Sequence, residues 1–479
     1  MDGLQRRFGF NTTVAIIVGT VIGSGIFMKP ALMASQLGSP MLLLSVWVVA
    51  GLVSLFGAMS NAELAAMYPD TGGPYVYFRE LYGEAFAFLY GWAAFTVFNC
   101  AGTVSIAYVF VHYGTAFIDL PQLNDASVHA FVVRLPGVGT ILPLENIGEK
   151  VVTTIVLLLL TVLNYFSAGL GGAVQRGLTA LKAVAIGLLI VGLLAGGGSS
   201  AHHDMFARAV DVPAIGGWTL FAAYFAALGG AFWAYDGWNN ISFVAGEIKD
   251  PQRNIPRGLF VGLLFCVLVY VLVNIAFLYV LPIDVMATST LVASDAARVV
   301  WGALGGGLVA ALVMLSTLGS TAANVLATAR VTYAVGAEYK GLAWVGKVRS
   351  GSHTPGNALL LNMAWMTALV FSGSFDMLTD MVVFVSWFFY AMLALGVIIL
   401  RVRRKEVARP YKVPGYPWVP GLFVLFTFAF LVTTLWSDAV DYLAGRTTLI
   451  NSLLGVLITL AGLPLYLLLK RGVRSRGEG

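Results

Sequence analysis

Three small residues, Gly23, Ser24 and Gly25, interrupt an apolar run that reads VAIIVGTVIGSGIFM at positions 14–28. Glycine and serine are poor helix formers, and glycine tolerates backbone angles that other residues resist. Inside a bilayer, each backbone N–H or C=O group without a partner costs several kcal/mol. The break therefore predicts that something other than the helix pairs with these backbone groups.

A small zwitterion carries the charges that such a break can satisfy. The freed amides of the three small residues would meet a carboxylate at the positive end of the following half-helix, 26–37. The freed carbonyls of Val21 and Ile22 would accept hydrogen bonds from an ammonium group. The alternative is a glycine seam that lets two helices pack closely.

A second interruption lies in the run LGGAFWAYDGWNNISFVAG at positions 228–246, where Asp236 and Gly237 follow apolar residues. A carboxylate inside a membrane is rare and is a functional candidate by default. Asp236 is therefore a second candidate site residue.

Composition places both breaks in a membrane. Apolar residues make up 59% of the 479 positions and charged residues 11%, whereas soluble domains have roughly 25% charged residues. Repeated apolar runs of about 20 residues indicate an all-α integral membrane protein. Twelve spans are predicted, at residues 10–37, 40–67, 75–113, 148–167, 173–197, 214–246, 254–281, 302–336, 355–373, 375–400, 418–441 and 447–470.

The two breaks occupy matching places in two halves of similar length. The first break lies in span 1 of residues 10–197, which hold spans 1–5, and the second lies in span 6 of residues 214–400, which hold spans 6–10. An odd number of spans per half would give the halves opposite membrane orientations. Interrupted spans at corresponding positions of such inverted repeats point to a transport site at the midplane. Two further spans lie within 418–470.

Lysine and arginine predict the orientation. With an inner N-terminus, 21 of the 28 lysines and arginines lie on the inner side and six, including Lys29, on the outer side, while Lys182 lies within a span. The positive-inside rule then places both termini in the cytoplasm. The outer segment 282–301 is predicted to form a short amphipathic helix.

Five ordered blocks resemble the amino acid–polyamine–organocation (APC) superfamily, and within it the L-type amino acid transporter branch. The blocks are IVGTVIGSGIF at 17–27, FWAYDGWN at 232–239, EIKDPQRNIP at 247–256, Gly319-Ser320 with Arg330, and RPYKVP at 409–414. The second block is similar to that of the branch's exchanger of dibasic and neutral amino acids. The resemblance implies a LeuT-like fold: a five-plus-five inverted repeat with discontinuous helices 1 and 6, two extra C-terminal helices and alternating access.

The resemblance also implies roles for individual residues. The substrate carboxylate would meet the Gly23–Gly25 segment, mainly Ser24 and Gly25. The substrate ammonium would meet carbonyls of Val21, Trp233 and Asp236. The Trp233 ring would be an aromatic gate that closes over the substrate side chain.

The Asp236 side chain leaves two interpretations open. It would be the counter-charge of a lysine-, arginine- or ornithine-like substrate, since carboxylate–guanidinium pairing in a dry site is strong and directional. Alternatively, it is a helix-breaking acid paired with a neighbouring donor such as Tyr235 or Asn239.

Lys182 matches a span-5 lysine that, in this branch, stands where sodium-coupled relatives hold an ion. Its ammonium, near carbonyls of Gly19 or Gly23 and the Ser320 hydroxyl, would replace Na⁺ and remove sodium dependence. The alternative is a lysine that snorkels to water from the inner end of its span.

Two aromatic residues of span 10, Phe384 and Trp387, align with residues of the side-chain pocket in the family. Core packing is the alternative for both.

The sequence thus predicts a sodium-independent L-amino acid exchanger, for neutral and, if Asp236 is a counter-charge, cationic amino acids. Proton-coupled uptake through Asp236 or Glu63 and amino acid–polyamine antiport are the alternatives among transporters. A channel is disfavoured because charge is confined to one site.

No zincin, hydrolase or P-loop motif indicates an enzyme, and no cofactor, metal or nucleic acid is expected. Relatives that join a glycoprotein heavy chain carry a cysteine in the outer loop after span 3, and residues 114–147 contain none. We therefore expect no disulfide-linked partner and a prokaryotic plasma membrane location. The oligomeric state is not predicted.

Overall fold

The computed structural model describes residues 6–69, 73–166, 172–196, 204–208, 216–349 and 354–470, and over 172–181 it describes the backbone alone. The described chain is almost entirely helical, as its composition predicts. One antiparallel hairpin, formed by β1 (Val133–Leu135) and β2 (Gly139–Ile141), lies in the segment 114–147. The sequence analysis did not predict this hairpin.

The helices are numbered in chain order. The first nine are α1 (Phe10–Val21), α2 (Gly25–Leu37), α3 (Pro40–Met67), α4 (Pro74–Tyr82), α5 (Glu84–Ala93), α6 (Cys100–Gly114), α7 (Asp125–Val128), α8 (Ile147–Phe166) and α9 (Gly172–Gly196). The others are α10 (Gly217–Tyr235), α11 (Pro251–Val280), α12 (Ile283–Thr288), α13 (Val292–Glu338), α14 (Gly356–Ser372), α15 (Phe375–Arg403), α16 (Trp418–Leu443), α17 (Asn451–Leu460) and α18 (Gly462–Leu469). A π-helical turn, Ala94–Asn99, joins α5 to α6, and a 3₁₀ segment, Trp238–Glu247, follows α10.

Length and apolar composition identify nine membrane spans among the described residues, or ten when α1 and α2 count as one span bent by 47°. Spans 5 and 9 of the prediction correspond to shorter apolar helices, Lys182–Gly196 and Gly356–Ser372. A helix therefore lies at each of the twelve predicted positions, and the all-α membrane fold is confirmed.

Two predicted segments differ from the structure. Span 3 is divided at Gly83, whose positive φ (87°) ends a helix readily, so that α4 is separate from α5. The single amphipathic helix predicted over 282–301 is divided between α12 and the first turns of α13, because the backbone is extended at Ser289. Within α13 the helix is interrupted at Gly302 (φ 69°).

The chain divides into two compact units, and each unit draws on both halves of the sequence. Unit 1 consists of Met1–Ala87, Ile186–Gly306 and Ser386–Ser437, and unit 2 of Phe88–Ala185, Gly307–Val385 and Asp438–Gly479. In unit 1, α3 packs on α11 and α10, while α2 packs on α10 and α1 packs on α11. In unit 2, α6, α8 and α14 pack together. The inverted repeats, 10–197 and 214–400, remain a prediction.

Lys29, which was counted on the outer side of span 1, lies on α2 with its side chain fully buried. Its methylene stem lies beside Gly230 of α10. The absence of a side chain at Gly230 leaves room for this stem.

Candidate functional site

The first break has the position that the sequence predicts. Helix α1 ends at Val21, and Ile22 adopts extended backbone angles (φ −70°, ψ 98°) that stop the helix. Helix α2 then begins at Gly25, with Ser24 as its cap residue. Ser24 and Gly25 are buried, whereas Gly23 is partly exposed. The N-terminus of α2 therefore lies directly after the three small residues, as anion recognition by a helix end requires.

The second break depends on the backbone freedom of one glycine. Helix α10 ends at Tyr235, Asp236 is extended (φ −64°, ψ 156°), and Gly237 has φ 108°. Such a positive φ is strained for any residue with a side chain. A Cβ atom at position 237 would also lie 2.6 Å from the carbonyl oxygen of Thr20 in α1. Gly237 thus both turns the chain and lets the two broken helices approach each other.

The two breaks lie against each other within unit 1. A Cβ atom at Gly25 would lie 2.6 Å from Cα of Ala234, so no larger residue fits at position 25 without displacing the backbone of α10. Gly25 therefore has the close-packing role that the sequence analysis offered as the alternative for this segment. Because the packed surface is the break itself, close packing and substrate recognition by backbone groups are compatible.

One buried phenol joins the two breaks. The Tyr270 hydroxyl, on α11, lies 2.9 Å from the carbonyl oxygen of Val21 and 2.8 Å from that of Ala234. The hydroxyl has a single hydrogen, so these two carbonyls share one donor. The carbonyl of Val21, which we predicted to accept from a substrate ammonium, thus already has a protein partner and one further lone pair.

Sequence reasoning missed Tyr270. The residue lies within the apolar run CVLVYVLVN of α11, and the sequence analysis did not single it out. A buried tyrosine hydroxyl nearly always has a hydrogen-bond partner. In a span with few other polar side chains, the broken backbone of another helix is the natural source of that partner, and this was the available signal.

The Asp236 carboxylate has a donor that we did not predict. Its Oδ1 atom accepts a hydrogen bond from the hydroxyl of Tyr390 on α15, at 2.7 Å. Of the two donors named in the sequence analysis, Tyr235 donates to a backbone carbonyl of α3, and the side-chain oxygen of Asn239 accepts from an α3 amide. The alternative of a paired acid fits the structure with a different donor, because the chain changes direction at Asp236 and its side chain meets α15.

Trp233 and Asp236 differ in exposure from the two residues between them. Both are partly exposed, whereas the intervening Ala234 and Tyr235 are buried. The proposed gate lies in the last turn of α10, and the proposed counter-charge is the first residue after that helix.

The two span-10 aromatics are both buried. The Trp387 ring stacks on Phe232 with ring centroids 3.6 Å apart, and it also contacts Phe423 and Phe430. These contacts place Trp387 in an aromatic core of unit 1, which matches its alternative as a packing residue. Phe384 belongs to the part of α15 in unit 2 and is 7% exposed.

Lys182 and Ser320 are neighbours within unit 2. The ammonium nitrogen lies 3.5 Å from the Ser320 hydroxyl oxygen, and that hydroxyl donates to a backbone carbonyl of its own helix at 3.0 Å. The serine oxygen is thus oriented to accept from the lysine. Lys182 is 9% exposed, which argues against the alternative in which it snorkels to water.

Glu63, one of two candidate proton carriers, lies in an ion-paired network of unit 1 outside both breaks. The carboxylate is 1% exposed and accepts two hydrogen bonds from Arg401, at 2.9 Å from Nε and 2.6 Å from Nη2. It also accepts from the backbone N–H of Val413 at 2.8 Å, and Arg409 lies 3.7 Å away. Bidentate pairing with arginine favours the ionised carboxylate. This network ties the connection between α15 and α16 to α3.

Comparison with known proteins identifies the family. The amino acid permease family model matches residues 8–460. The chain belongs to this family. Its resemblance to the APC superfamily is thereby confirmed, and with it the LeuT-like fold and a function as a membrane transporter rather than an enzyme.

Individual relatives are similar over most of their length. The serine/threonine exchanger SteT of Bacillus subtilis is 32% identical over 475 residues, which cover 98% of each chain. The human b(0,+)-type amino acid transporter 1 is 30% identical over 437 residues, covering 90% of this chain and 82% of the relative. The human large neutral amino acids transporter small subunit 2 is 30% identical over 473 residues, covering 97% and 80%. The family member described here is therefore an amino acid transporter.

Removing the Tyr270 hydroxyl is expected to destabilise the protein. Tyr270→Phe leaves the carbonyls of Val21 and Ala234 without their shared donor, and a buried group without a partner costs about 1–3 kcal/mol. We expect the thermal unfolding midpoint of the purified transporter to fall by several degrees. Tyr279→Phe, the same change on the same helix, is the control. Equal midpoints for the two variants would contradict the role of the phenol at the breaks.

Neutralising Glu63 is expected to have a larger effect. Glu63→Gln leaves the arginines without their buried counter-charge, and breaking a buried pair in this way costs about 3–5 kcal/mol. Glu80→Gln is the matched control, because its ion pair with Arg404 is exposed and worth about 0–1 kcal/mol. Denaturant unfolding of the two variants measures the difference. Similar losses in both would show that the Glu63 network contributes little to stability.

Proposed function

We propose that this permease is a sodium-independent exchanger of L-amino acids that works by alternating access. The observation that carries the proposal is the contact between two broken helices, at which Gly25 meets Ala234 and Gly237 meets Thr20. Half-helix ends beside unwound backbone are the usual substrate sites of inverted-repeat transporters. The similarity to SteT, a serine/threonine exchanger, supports the exchange mode.

The backbone at the first break would bind the two ends of the substrate. The carboxylate meets the Gly23–Gly25 amides at the N-terminus of α2, where the helix dipole favours an anion. The ammonium meets the carbonyls of Val21, Trp233 and Asp236. The carbonyls of Val21 and Ala234 share the one hydrogen of the Tyr270 hydroxyl. A substrate ammonium would donate to the carbonyl of Val21 in its place, and the Tyr270 hydroxyl would then donate to the carbonyl of Ala234 alone.

The side chains at the end of α10 would set the substrate range. The Trp233 ring closes over the substrate side chain. With a neutral amino acid, Asp236 keeps its hydrogen bond from Tyr390, so the carboxylate is not left without a partner. With a cationic amino acid, Asp236 has lone pairs left to receive the side-chain charge. The pocket role of Phe384 and Trp387 rests on the family resemblance alone, and the stacking of Trp387 on Phe232 favours its alternative as a packing residue.

The Lys182–Ser320 contact supports sodium independence. A buried ammonium 3.5 Å from a serine hydroxyl supplies the positive charge that a bound Na⁺ would otherwise bring to the same oxygen.

We further propose a prokaryotic plasma membrane location with both termini cytoplasmic, and no disulfide-linked heavy chain.

Proton-coupled uptake through Asp236 is the second candidate function. The observation that favours it is a carboxylate in the second break with a single side-chain hydrogen bond, from Tyr390. Glu63 is less suited to carry a proton, because Arg401 and the Val413 amide already bind its carboxylate. Amino acid–polyamine antiport would use the same carboxylate as counter-charge.

Uptake into sodium-free proteoliposomes separates these functions. We expect labelled alanine to enter vesicles preloaded with unlabelled amino acid and not to enter empty vesicles. The reason is that an obligatory exchanger changes back to its outward-facing state only when it carries a substrate from inside the vesicle. Adding Na⁺ is expected to change nothing. Equal uptake into empty and preloaded vesicles, increased by an inward proton gradient, would replace exchange by proton coupling.

The charge at position 236 is tested by the choice of substrate. In Asp236→Gly, the uptake of labelled arginine is expected to fall at least about tenfold, because the pairing of a carboxylate with a guanidinium in a dry site is strong. Labelled alanine in the same preloaded vesicles is the control and is expected to keep most of its uptake. Parallel losses for both amino acids would assign Asp236 to the structure of the break and not to side-chain recognition.

A further inference from the structure

The connection between α15 and α16 presents an exposed cationic surface. We call residues 403–418 the basic strap. Four of its cationic side chains are exposed, namely Arg403, Arg404, Lys405 and Lys412, against one exposed acid, Glu406. Arg404 also pairs with Glu80 of α4, so Arg403, Lys405 and Lys412 carry most of the charge available to a ligand. A fifth, Arg409, is directed inward and is 8% exposed in its side chain. One side of the strap thus places a charge against the protein, and the other side, which we call the outer side of the strap, places its charges in solvent.

The inward arginine holds the strap in one conformation. The guanidinium of Arg409 donates to the backbone carbonyls of Leu400, Arg404, Lys405 and Val407, at 2.7–3.2 Å. Further along, the Val413 N–H donates to Glu63, so that the strap is also attached to α3. Arg401, at the end of α15, lies over the Tyr416 ring at 3.9 Å. A strap fixed in this way presents its outer cations without further loss of conformational entropy.

Exposed apolar residues accompany the outer cations. Val402 is 63% exposed, Val407 is 38% exposed and Trp418 is 74% exposed. Tryptophan is enriched at membrane–water interfaces, where its ring lies among lipid headgroups. Trp418 is also the first residue of the membrane-spanning α16, and Arg403 is the last residue of α15. Both ends of the strap therefore lie at the surface of the bilayer.

We propose that the basic strap binds the headgroups of anionic phospholipids, with Trp418 inserted beside them. Clusters of four or more cations next to a membrane span attract anionic lipid. The positive-inside rule accounts for cations on one side of the membrane, but it requires neither a fixed backbone nor an exposed tryptophan among them. The proposal rests on the orientation proposed above and is independent of the transport mode.

Lipid contact at Trp418 provides a direct test. The full-length transporter is reconstituted in phosphatidylcholine vesicles that contain a small fraction of brominated lipid, either phosphatidylglycerol or phosphatidylcholine. The fluorescence difference between wild type and Trp418→Phe isolates the signal of this residue. We expect brominated phosphatidylglycerol to compete for the site about tenfold better than brominated phosphatidylcholine. Raising the salt concentration is expected to reduce this preference.

A matched pair of triple variants separates the strap from general surface charge. The first triple variant combines Arg403→Gln, Lys405→Gln and Lys412→Gln. The second triple variant combines Lys249→Gln, Arg253→Gln and Arg257→Gln, and it removes three exposed cations from the start of α11 and the residues just before it. We expect the first protein to lose the preference for phosphatidylglycerol while quenching by phosphatidylcholine persists. The second is expected to keep the preference.

Three results would overturn the proposal. Equal quenching of wild type by both brominated lipids would remove headgroup selectivity, and no quenching by either would place Trp418 away from the bilayer. Equal losses in the two triple variants would assign the preference to net charge alone. None of these results depends on amino acid uptake, so a failure of the exchange assay and a failure of lipid binding are distinguishable.

Discussion

Backbone hydrogen bonds that are lost where a membrane helix breaks must be replaced, because no water in the hydrocarbon core can do so. In unit 1, one phenol meets this constraint at both breaks, since Tyr270 lies within hydrogen-bond distance of Val21 and Ala234. The close approach at Gly25 and Gly237 depends on the same arrangement, because both breaks must lie near a single hydroxyl. This shared partner joins the end of α1 and the end of α10 to α11.

Buried charge in the described residues is distributed according to what each group must do. Glu63 is held by arginine and a backbone amide, which suits a carboxylate that keeps α3 attached to the end of α15. Asp236 has a neutral partner in Tyr390, and a phenol can share a carboxylate with an incoming cation more readily than a guanidinium can. The two acids of the sequence analysis are thus chemically distinct, although their sequence contexts had suggested the same role.

The sequence predicted the features that local chemistry determines. Poor helix formers at Gly23–Gly25 and a glycine after Asp236 located both breaks, and the apolar runs located a helix at each of the twelve predicted positions. The partners of the breaks were not predictable in this way, because Tyr270 and Tyr390 lie in otherwise apolar runs far along the chain. Lys29 shows the same limit: charge counting addressed only its side of the membrane, whereas its burial depends on Gly230 of a distant helix.

The shared hydrogen of Tyr270 offers a physical basis for exchange. A ligand changes a conformational equilibrium only through its different affinity for the two states. Val21 and Ala234 are linked through the phenol, which favours keeping α1 and α10 together. Under the proposed function, an ammonium bound to the carbonyl of Val21 would weaken this link and supply its own hydrogen bonds in exchange. Rearrangement of the broken helices would then be easier with substrate than without it, which is the condition for obligatory exchange.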